Sequence, residues 1–450
     1  MRHGYLGYLG FALAMACPSC GIAAEAKAPA HPAAATTITL ERSMCYGACP
    51  AYKVTIHGDG RVHYEGEPGG PPRAAQQPGD FGPGYTVVVG GSHDDRIPST
   101  EISVLLARFR DAGFWDLNDE YKAAVTDVPT YTVTLSNGSR TKSVVDFMGS
   151  EVGMPASVTA LQDAIDKAAH TDRWTKGTAE LIPWLERNGF DFHSDTAAQM
   201  AVAAEKRFAD EGLVTALIDR GAPLETPVSD DSAFQETSPE GELAGLTLLK
   251  VSLRRGHAQV FNRLVDRDWL GRWDRVEAGR EFARRSAGCS PAMVDAAVAA
   301  GIPVDAVTIA LPAYSSTDVG GATALASLRS DYACYREDGA RIPTVRALLE
   351  RGADPNHRDD EGRPPLWGVE SMEFVDLLLA HGADATITDN RGNSLIFGAS
   401  NEEVVLRLLE AGASVQGRDS QGRSLAARMA ESPMPQVAAW LSAHPEASQK

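Results

Sequence analysis

Between Ile342 and Ala427 the chain writes one phrase three times at a fixed step of 30 residues, and no other feature constrains the fold as tightly. The phrase is Gly352-Ala353-Asp354 with Asp359 and Gly362, then Gly382-Ala383-Asp384 with Asp389 and Gly392, then Gly412-Ala413-Ser414 with Asp419 and Gly422. A leucine-rich run precedes each Gly-Ala: Val345-x-x-Leu348-Leu349, Val375-x-x-Leu378-Leu379 and Val405-x-x-Leu408-Leu409. Its spacing gives one apolar helical face. After the glycine stop comes a polar, extended finger ending in Asp-x-x-Gly, then a short apolar run that opens another helix: Pro365-Leu366, Leu395-Ile396, Leu425-Ala426. Such a unit cannot bury its apolar face alone and must stack on copies of itself.

Weaker copies run upstream. Gly301-Ile302-Pro303 follows a helix over 291–300, and Gly321-Ala322-Thr323-Ala324-Leu325 and Gly245-Leu246-Thr247-Leu248-Leu249 match the helix opening. The second of these continues to Gly256-His257-Ala258-Gln259-Val260. Leu217-Ile218-Asp219-Arg220-Gly221-Ala222 and Trp184-Leu185-Glu186-Arg187-Asn188-Gly189 extend the series. The corners fall at 189, 221, about 268, 301, 352, 382 and 412, with insertions expected at 227–242 and near 331–341.

These residues resemble the ankyrin repeat, on the Gly-Ala-Asp corner, the Asp-x-x-Gly finger and the leucine pair in fixed register. The resemblance implies an all-α solenoid of about seven units over residues 175–445, with a tail at 446–450, and it implies protein binding. Carried onto this sequence, the finger tips offer Asp360, Glu361, Arg363, Asn390, Arg391, Gln421 and Arg423. The position five past each finger glycine offers Trp367 and Phe397, which either form an aromatic contact ridge or fill space left by a shortened first helix.

At 450 residues the chain exceeds one ordinary domain, and 43% hydrophobic content suffices for cores. The net charge of -18, with no basic stretch to offset it, argues against a nucleic-acid partner. Residues 1–26 read as an export signal: Arg2 and His3, an apolar run from Leu6 to Ala16, then small residues around Ala23, Ala24 and Ala26. The alternatives are an Ala-rich terminus of a cytosolic protein, or a lipoprotein anchored through Cys17. Residues 27–36 read as a linker. No later apolar run is long enough to cross a bilayer, so no transmembrane anchor is expected after signal removal, and a periplasmic or secreted location follows.

From Ile38 the texture changes to strands. For the hairpin around Asp59-Gly60, a three-residue loop, Gly58-Asp59-Gly60, pairs Ile56 with Val62 and Val54 with Tyr64 and leaves Thr55, His57, Arg61 and His63 on the other face. A one-residue slip would mix the faces, so this register should win. The resulting polar strip is a ligand or metal face, or simply the solvated side. A Gly/Pro-rich excursion over 67–98 holds one strand-like island, Tyr85 to Val89. A helix opens at Ser99 or Thr100 with Ile102, Leu105, Leu106 and Phe109 on one face. A second hairpin, 131–135 with 139–147, is expected to turn through Ser136-Asn137-Gly138 and to place Val145 beside Tyr131, Val133 and Leu135. A helix over 155–169 closes an α+β domain of two hairpins and two helices, residues 37–174. Cys45-Tyr46-Gly47-x-Cys49-Pro50-x-Tyr52 resembles the opening signature of a bacterial domain family whose function is itself unknown.

Without the leader four cysteines remain, Cys45, Cys49, Cys289 and Cys334, and an even number in an exported chain favours disulfides. Local pairing of Cys45 with Cys49 is simplest. A redox-active pair, or a zinc site completed by His57 and His63, are sharper readings. Cys289 and Cys334 fall at the same inter-helix edge of adjacent repeats and are expected to pair. No catalytic motif, metal-binding motif or cofactor fingerprint appears, so the sequence supports a non-enzymatic protein-binding reading with no cofactor. Toxin neutralisation and envelope-enzyme inhibition are its specific forms. A thiol redox or other enzyme built on the first domain, with the repeats recruiting substrate, is the alternative.

Overall fold

The computed structural model describes residues 35–45, 49–67, 86–206, 210–228, 241–309, 320–330, 334 and 339–448. The expected signal over 1–26 with Cys17, most of the linker, Tyr46 and Gly47 of the cysteine signature, most of both insertions and the last two residues of the tail lie outside them.

The N-terminal region is one sheet of seven strands rather than two separate hairpins: β1 (Thr37–Arg42), β2 (Tyr52–His57), β3 (Arg61–Gly66), β4 (Gly91–Arg96), β5 (Glu120–Lys122), β6 (Tyr131–Ser136) and β7 (Thr141–Phe147), in the order β4-β3-β2-β1-β6-β7-β5. Every pairing is antiparallel except β5 with β7. β1 joins the two hairpins by pairing with β2 on one side and β6 on the other. Period-two alternation sends Ile38, Leu40, Val54, Ile56, Val62, Tyr64, Val133, Leu135 and Val144 into the core. There α1 (Ser99–Asp111) contributes Ile102, Leu105 and Phe109, and α2 (Ala156–Ala169) contributes Val158, Leu161 and Ile165. The other face is polar, with Thr39 against Thr55 at 3.3 Å and Thr134 against Ser143 at 2.8 Å.

The first hairpin has the expected register, Ile56 opposite Val62 and Val54 opposite Tyr64, with Gly60 left-handed at φ 90°. The second does not. Asn137 Oδ1 accepts from the N–H groups of Ser139 and Arg140, which lengthens the loop to four residues, so Val133 faces Val144. Val144 is therefore buried, and Val145 points to the opposite face. The valine island is a second correction. Val87, Val88 and Val89 are fully buried but form no strand, because Val88 and Val89 donate to the carbonyls of Thr175 and Trp174 instead of to a sheet partner. The strand of this stretch is the polar β4, which turns only His93 inward, opposite Tyr64.

Beyond α3 (Asp172–Thr175) the chain is helical: α4 (Leu181–Arg187), α5 (Asp195–Lys206), α6 (Glu211–Asp219), α7 (Ala244–Arg255), α8 (Ala258–Val265), α9 (Arg275–Arg285), α10 (Pro291–Ala299), α11 (Ala324–Ser327), α12 (Arg341–Glu350), α13 (Met372–Ala380), α14 (Glu402–Glu410), α15 (Leu425–Glu431) and α16 (Pro435–Ala443). All but α15 pack in two rows, α5, α7, α9, α11 in one and α4, α6, α8, α10, α12, α13, α14, α16 in the other, each touching the next. A tiny hairpin, Pro227–Val228 with Glu242–Leu243, flanks the first insertion.

All seven corners have the same backbone form. Gly189, Gly221, Asp268, Gly301, Gly352, Gly382 and Gly412 are left-handed. The residue after each donates to the carbonyl five positions before it, from Phe190 to Leu185 through to Ala413 to Leu408. This is the helix stop that glycine makes cheaply, and Asp268 is the one corner made without it. The full first helix, α7, has 12 residues, whereas in the 30-residue units it shrinks to a turn at 364–367 and a single 3-10 turn, Leu395–Phe397.

Sheet and helices share a continuous core. Tyr64 stacks on Trp174 with centroids 4.6 Å apart, Trp174 meets Trp184 edge-on at 5.6 Å, and His93 meets Trp184 at 5.2 Å. Arg173 lies over Trp174 and pairs with Asp95 at 2.5 Å.

Candidate interaction surface

Each finger is tied by its own aspartate. Asp359 Oδ1 accepts from the N–H groups of Glu361 (3.0 Å) and Arg363 (2.9 Å). Asp389 does the same for Arg391 and Asn393, and Asp419 for Gln421 and Arg423. The finger glycines, at φ 81°, 79° and 78°, close the turns by donating to the aspartate carbonyls. Desolvation alone would raise the Asp419 carboxyl, but hydrogen bonds from Arg423 and Gln421 outweigh it and hold it below its ordinary range. The motif Asp-x-x-Gly is thus a turn lock, which is why it recurs with the fold.

The fingers are also bonded to one another. Asn390 donates from its backbone to the Glu361 carbonyl and from its side chain to the Asp360 carbonyl, both at 2.9 Å. Asp360 N–H donates to Gly320, and Arg358 reaches the Thr388 carbonyl at 3.0 Å. The side chains of Asp360, Glu361, Asn390, Arg391 and Gln421 are left exposed on this ladder. Arg363 and Arg423 are half-buried: Arg363 pairs with Glu361 beside Trp367, and Arg423 bonds Asp419 at 2.7 Å and also pairs with Glu431. The two aromatics differ. Trp367 is half-buried with its indole against Gly398, whereas Phe397 is only 7% exposed, drawn in by the one-turn helix beneath the Gly417 backbone. Phe397 therefore fills space in the core, and of the two aromatics only Trp367 keeps an accessible surface.

Both cysteine pairs are bonded, Cys45 to Cys49 and Cys289 to Cys334. The first bond leaves no thiolate at Cys45 or Cys49 for zinc. In the histidine strip, His63 Nδ1 lies 2.7 Å from Asp94 Oδ1, and Ser92 lies beside Nε2. Among the described residues no three potential ligands converge on a metal position.

One feature had no sequence signal. A cleft of about 880 Å³ opens where the sheet meets the helices, lined by Arg42, Tyr52, Tyr131, α2, α3 and Asp210. At its floor Asp166 accepts from Arg42 (2.6 Å), Tyr52 (2.5 Å) and Thr171 (2.7 Å), while Arg42 lies 4.3 Å above the Tyr131 ring centroid. Burial and the Asp166 charge push the Tyr52 phenol far above its ordinary range. Burial opposes the Arg42 charge, but Tyr52, Asp166 and Tyr131 together hold it firmly protonated. Arg42 and Asp166 are 124 residues apart, so only the fold brings them together.

Residues 36–169 match the family model of a domain of unknown function, DUF6438. No curated protein matches the chain. Among solved structures, the ankyrin repeat domain of Bcl-3, described as a unique member of the IkappaB protein family, is similar at 16% identity with a TM-score of 0.32, covering 52% of this chain and 91% of that one.

Proposed function

We propose that this chain is an exported, non-enzymatic binding protein. In this reading an ankyrin-type solenoid of about seven units, residues 175–445, holds a protein partner on its fingers, and a sheet domain over 37–174 covers its first unit. The observation that carries the reading is the ladder of aspartate-locked fingers. A partner meets side chains whose backbone is already ordered, so little ordering entropy opposes binding. Asp360, Glu361, Asn390, Arg391 and Gln421 supply the polar contacts, with Arg363 and Arg423 behind them and Trp367 as the anchor. Two disulfides support an oxidising compartment, and no helix among the described residues is long and apolar enough to cross a membrane. Neutralising a toxin or inhibiting an envelope enzyme are the specific forms this binding would take.

The test compares the full chain with a variant carrying Asp360→Ala, Arg391→Ala and Gln421→Ala in affinity capture from an envelope fraction. A protein retained by the wild type and lost by the variant, at unchanged Tm, is the expected outcome. Identical capture by both would sink the finger assignment.

A further inference from the structure

The chain contains two Asn-Gly steps, Asn137-Gly138 and Asn188-Gly189. Such a step can close on itself, because a backbone nitrogen with no side chain beside it lies within reach of the preceding amide carbon, and the ring that forms is five-membered. The fold places the two steps in opposite circumstances.

Asn188-Gly189 ends α4. The Gly189 N–H donates to the Glu186 carbonyl at 3.2 Å, so the nitrogen that would attack is engaged. Asn188 is tied twice to the Trp184 carbonyl, through its backbone N–H at 3.1 Å and its Nδ2 at 2.8 Å. Trp184, Leu185 and Phe190 around it are buried, so this corner opens only if the helix end unpacks.

Asn137-Gly138 lies in the loop between β6 and β7, where residues 137–140 are all exposed. The Gly138 N–H reaches only Ser136 Oγ, at 3.5 Å, the outer limit of a hydrogen bond. Asn137 Nδ2, the group that would leave, has no partner among the described residues. Its Oδ1, by contrast, accepts from the Ser139 N–H (3.2 Å), the Ser139 hydroxyl (3.1 Å) and the Arg140 N–H (2.9 Å). Donors on that oxygen draw electrons from Cγ and meet the negative charge that develops when a nitrogen adds there.

We propose that Asn137 is a site of spontaneous covalent conversion in the folded protein and that Asn188 is spared. The Gly138 nitrogen bonds to Asn137 Cγ, the Cγ–Nδ2 bond breaks, and the amide nitrogen leaves as ammonia with the proton that Gly138 gives up. Water then opens the ring at one of its two carbonyls, yielding aspartate or isoaspartate, with no oxidant or other co-reactant. Aspartate keeps an acceptor for the loop and adds a negative charge. Isoaspartate inserts a carbon into the main chain and so disturbs the cap that sets Val133 opposite Val144. The change falls beside the start of β1, where Gly138 faces Ala35, and leaves the fingers untouched.

The test is incubation of the full chain in mildly alkaline buffer, folded and in urea, followed by peptide mapping that resolves asparagine, aspartate and isoaspartate at both positions. In the folded chain Asn137 is expected to convert at least about tenfold faster than Asn188, and in urea the two rates should converge. Ser139→Ala, which removes one donor from Oδ1 and leaves both backbone donors, should slow Asn137 about threefold at unchanged circular dichroism. Equal rates in the folded chain would overturn the proposal. So would a difference that persists in urea, since it would then belong to the neighbouring residues and not to the fold. Faster conversion in Ser139→Ala would overturn the part given to the Oδ1 donors.

Discussion

The bond between Cys289 and Cys334 should carry a large share of the stability of the helical stack. Cys289 ends the turn between α9 and α10, and Cys334 lies beyond α11, so the bond closes a span of 45 residues across the second insertion. Loop-closure entropy for such a span corresponds to about 4 kcal/mol, against roughly 2 kcal/mol for the short Cys45–Cys49 loop. Cys289 adopts φ 55°, a region that costs a non-glycine residue on the order of 1 kcal/mol, but serine there bears the same cost and it cancels in the comparison. The loss in Cys289→Ser/Cys334→Ser is then about 4 kcal/mol. At roughly 2–4 °C per kcal/mol for a unit of this size, Tm should drop by about 10 °C without reductant. The assay is thermal unfolding of a chain beginning at Lys27, with and without reductant. Reductant should lower the wild-type Tm strongly and the double variant only by the local loop's smaller share. The reasoning fails if reductant lowers both equally, or if unreduced wild type presents two titratable thiols when denatured.

Other outcomes follow from the packing. Gly288 is left-handed at φ 61°, and a Cβ there would stand 2.1 Å from the Gly256 backbone nitrogen, so Gly288→Ala should cost more than about 3 kcal/mol in urea unfolding, and a neutral result would contradict the close approach of these backbones. Phe397→Ala should cost about 3–5 kcal/mol, while Trp367→Ala, at a half-buried site, should cost less and act mainly on partner capture; reversed stabilities would refute the assignment. His257 pairs with the fully buried Glu205 at 2.9 Å. Burial alone would lower the imidazole, but the carboxylate outweighs it and raises it above 6.5, and burial raises Glu205 as well. Both groups bind protons more tightly when folded: the Glu205 contribution is full below its ordinary value of 4.5 and the His257 contribution below 6.5, and each fades as pH rises through that group's folded-state value. Tm should therefore fall from mildly acid to alkaline pH, and Glu205→Gln should flatten that slope.

Much of this architecture is legible in the sequence because it is written locally. A helix stop is decided by a few neighbouring residues, which is why all seven corners fall where the glycines and the 268 region place them, even though Asp268 replaces glycine. The first hairpin could be read because only one register sorts its apolar residues. The second could not, since its loop length is set by the Asn137 side chain capping two backbone N–H groups, and alternation is blind to that. The valines at 87–89 misled for a related reason: burial on every side looks the same whether the neighbours are strands or the α3 backbone. At the candidate surface, the exposure of the finger-tip side chains follows from their place in the repeat, whereas the burial of Phe397 depends on how far the first helix has shortened. The cleft was invisible, because its floor joins β1, β2, β6 and the end of α2, and no local pattern announces that meeting.

The aromatic joint has a consequence for how the molecule behaves when cut. Leu181, Trp184 and Leu185 on α4 are almost fully shielded, and Trp184 is met edge-on by His93 of the sheet and by Trp174, on which Tyr64 stacks. A fragment lacking the sheet would present that row of apolar side chains at one end of a stack whose next unit is built to receive just such a row. The contact would be head-to-tail, and a head-to-tail contact grows into an open array unless its rotation happens to close a ring. Proteolysis between α2 and α4 should therefore yield filaments or precipitate rather than a well-behaved shorter protein, and the sheet sets the number of units at its end of the array.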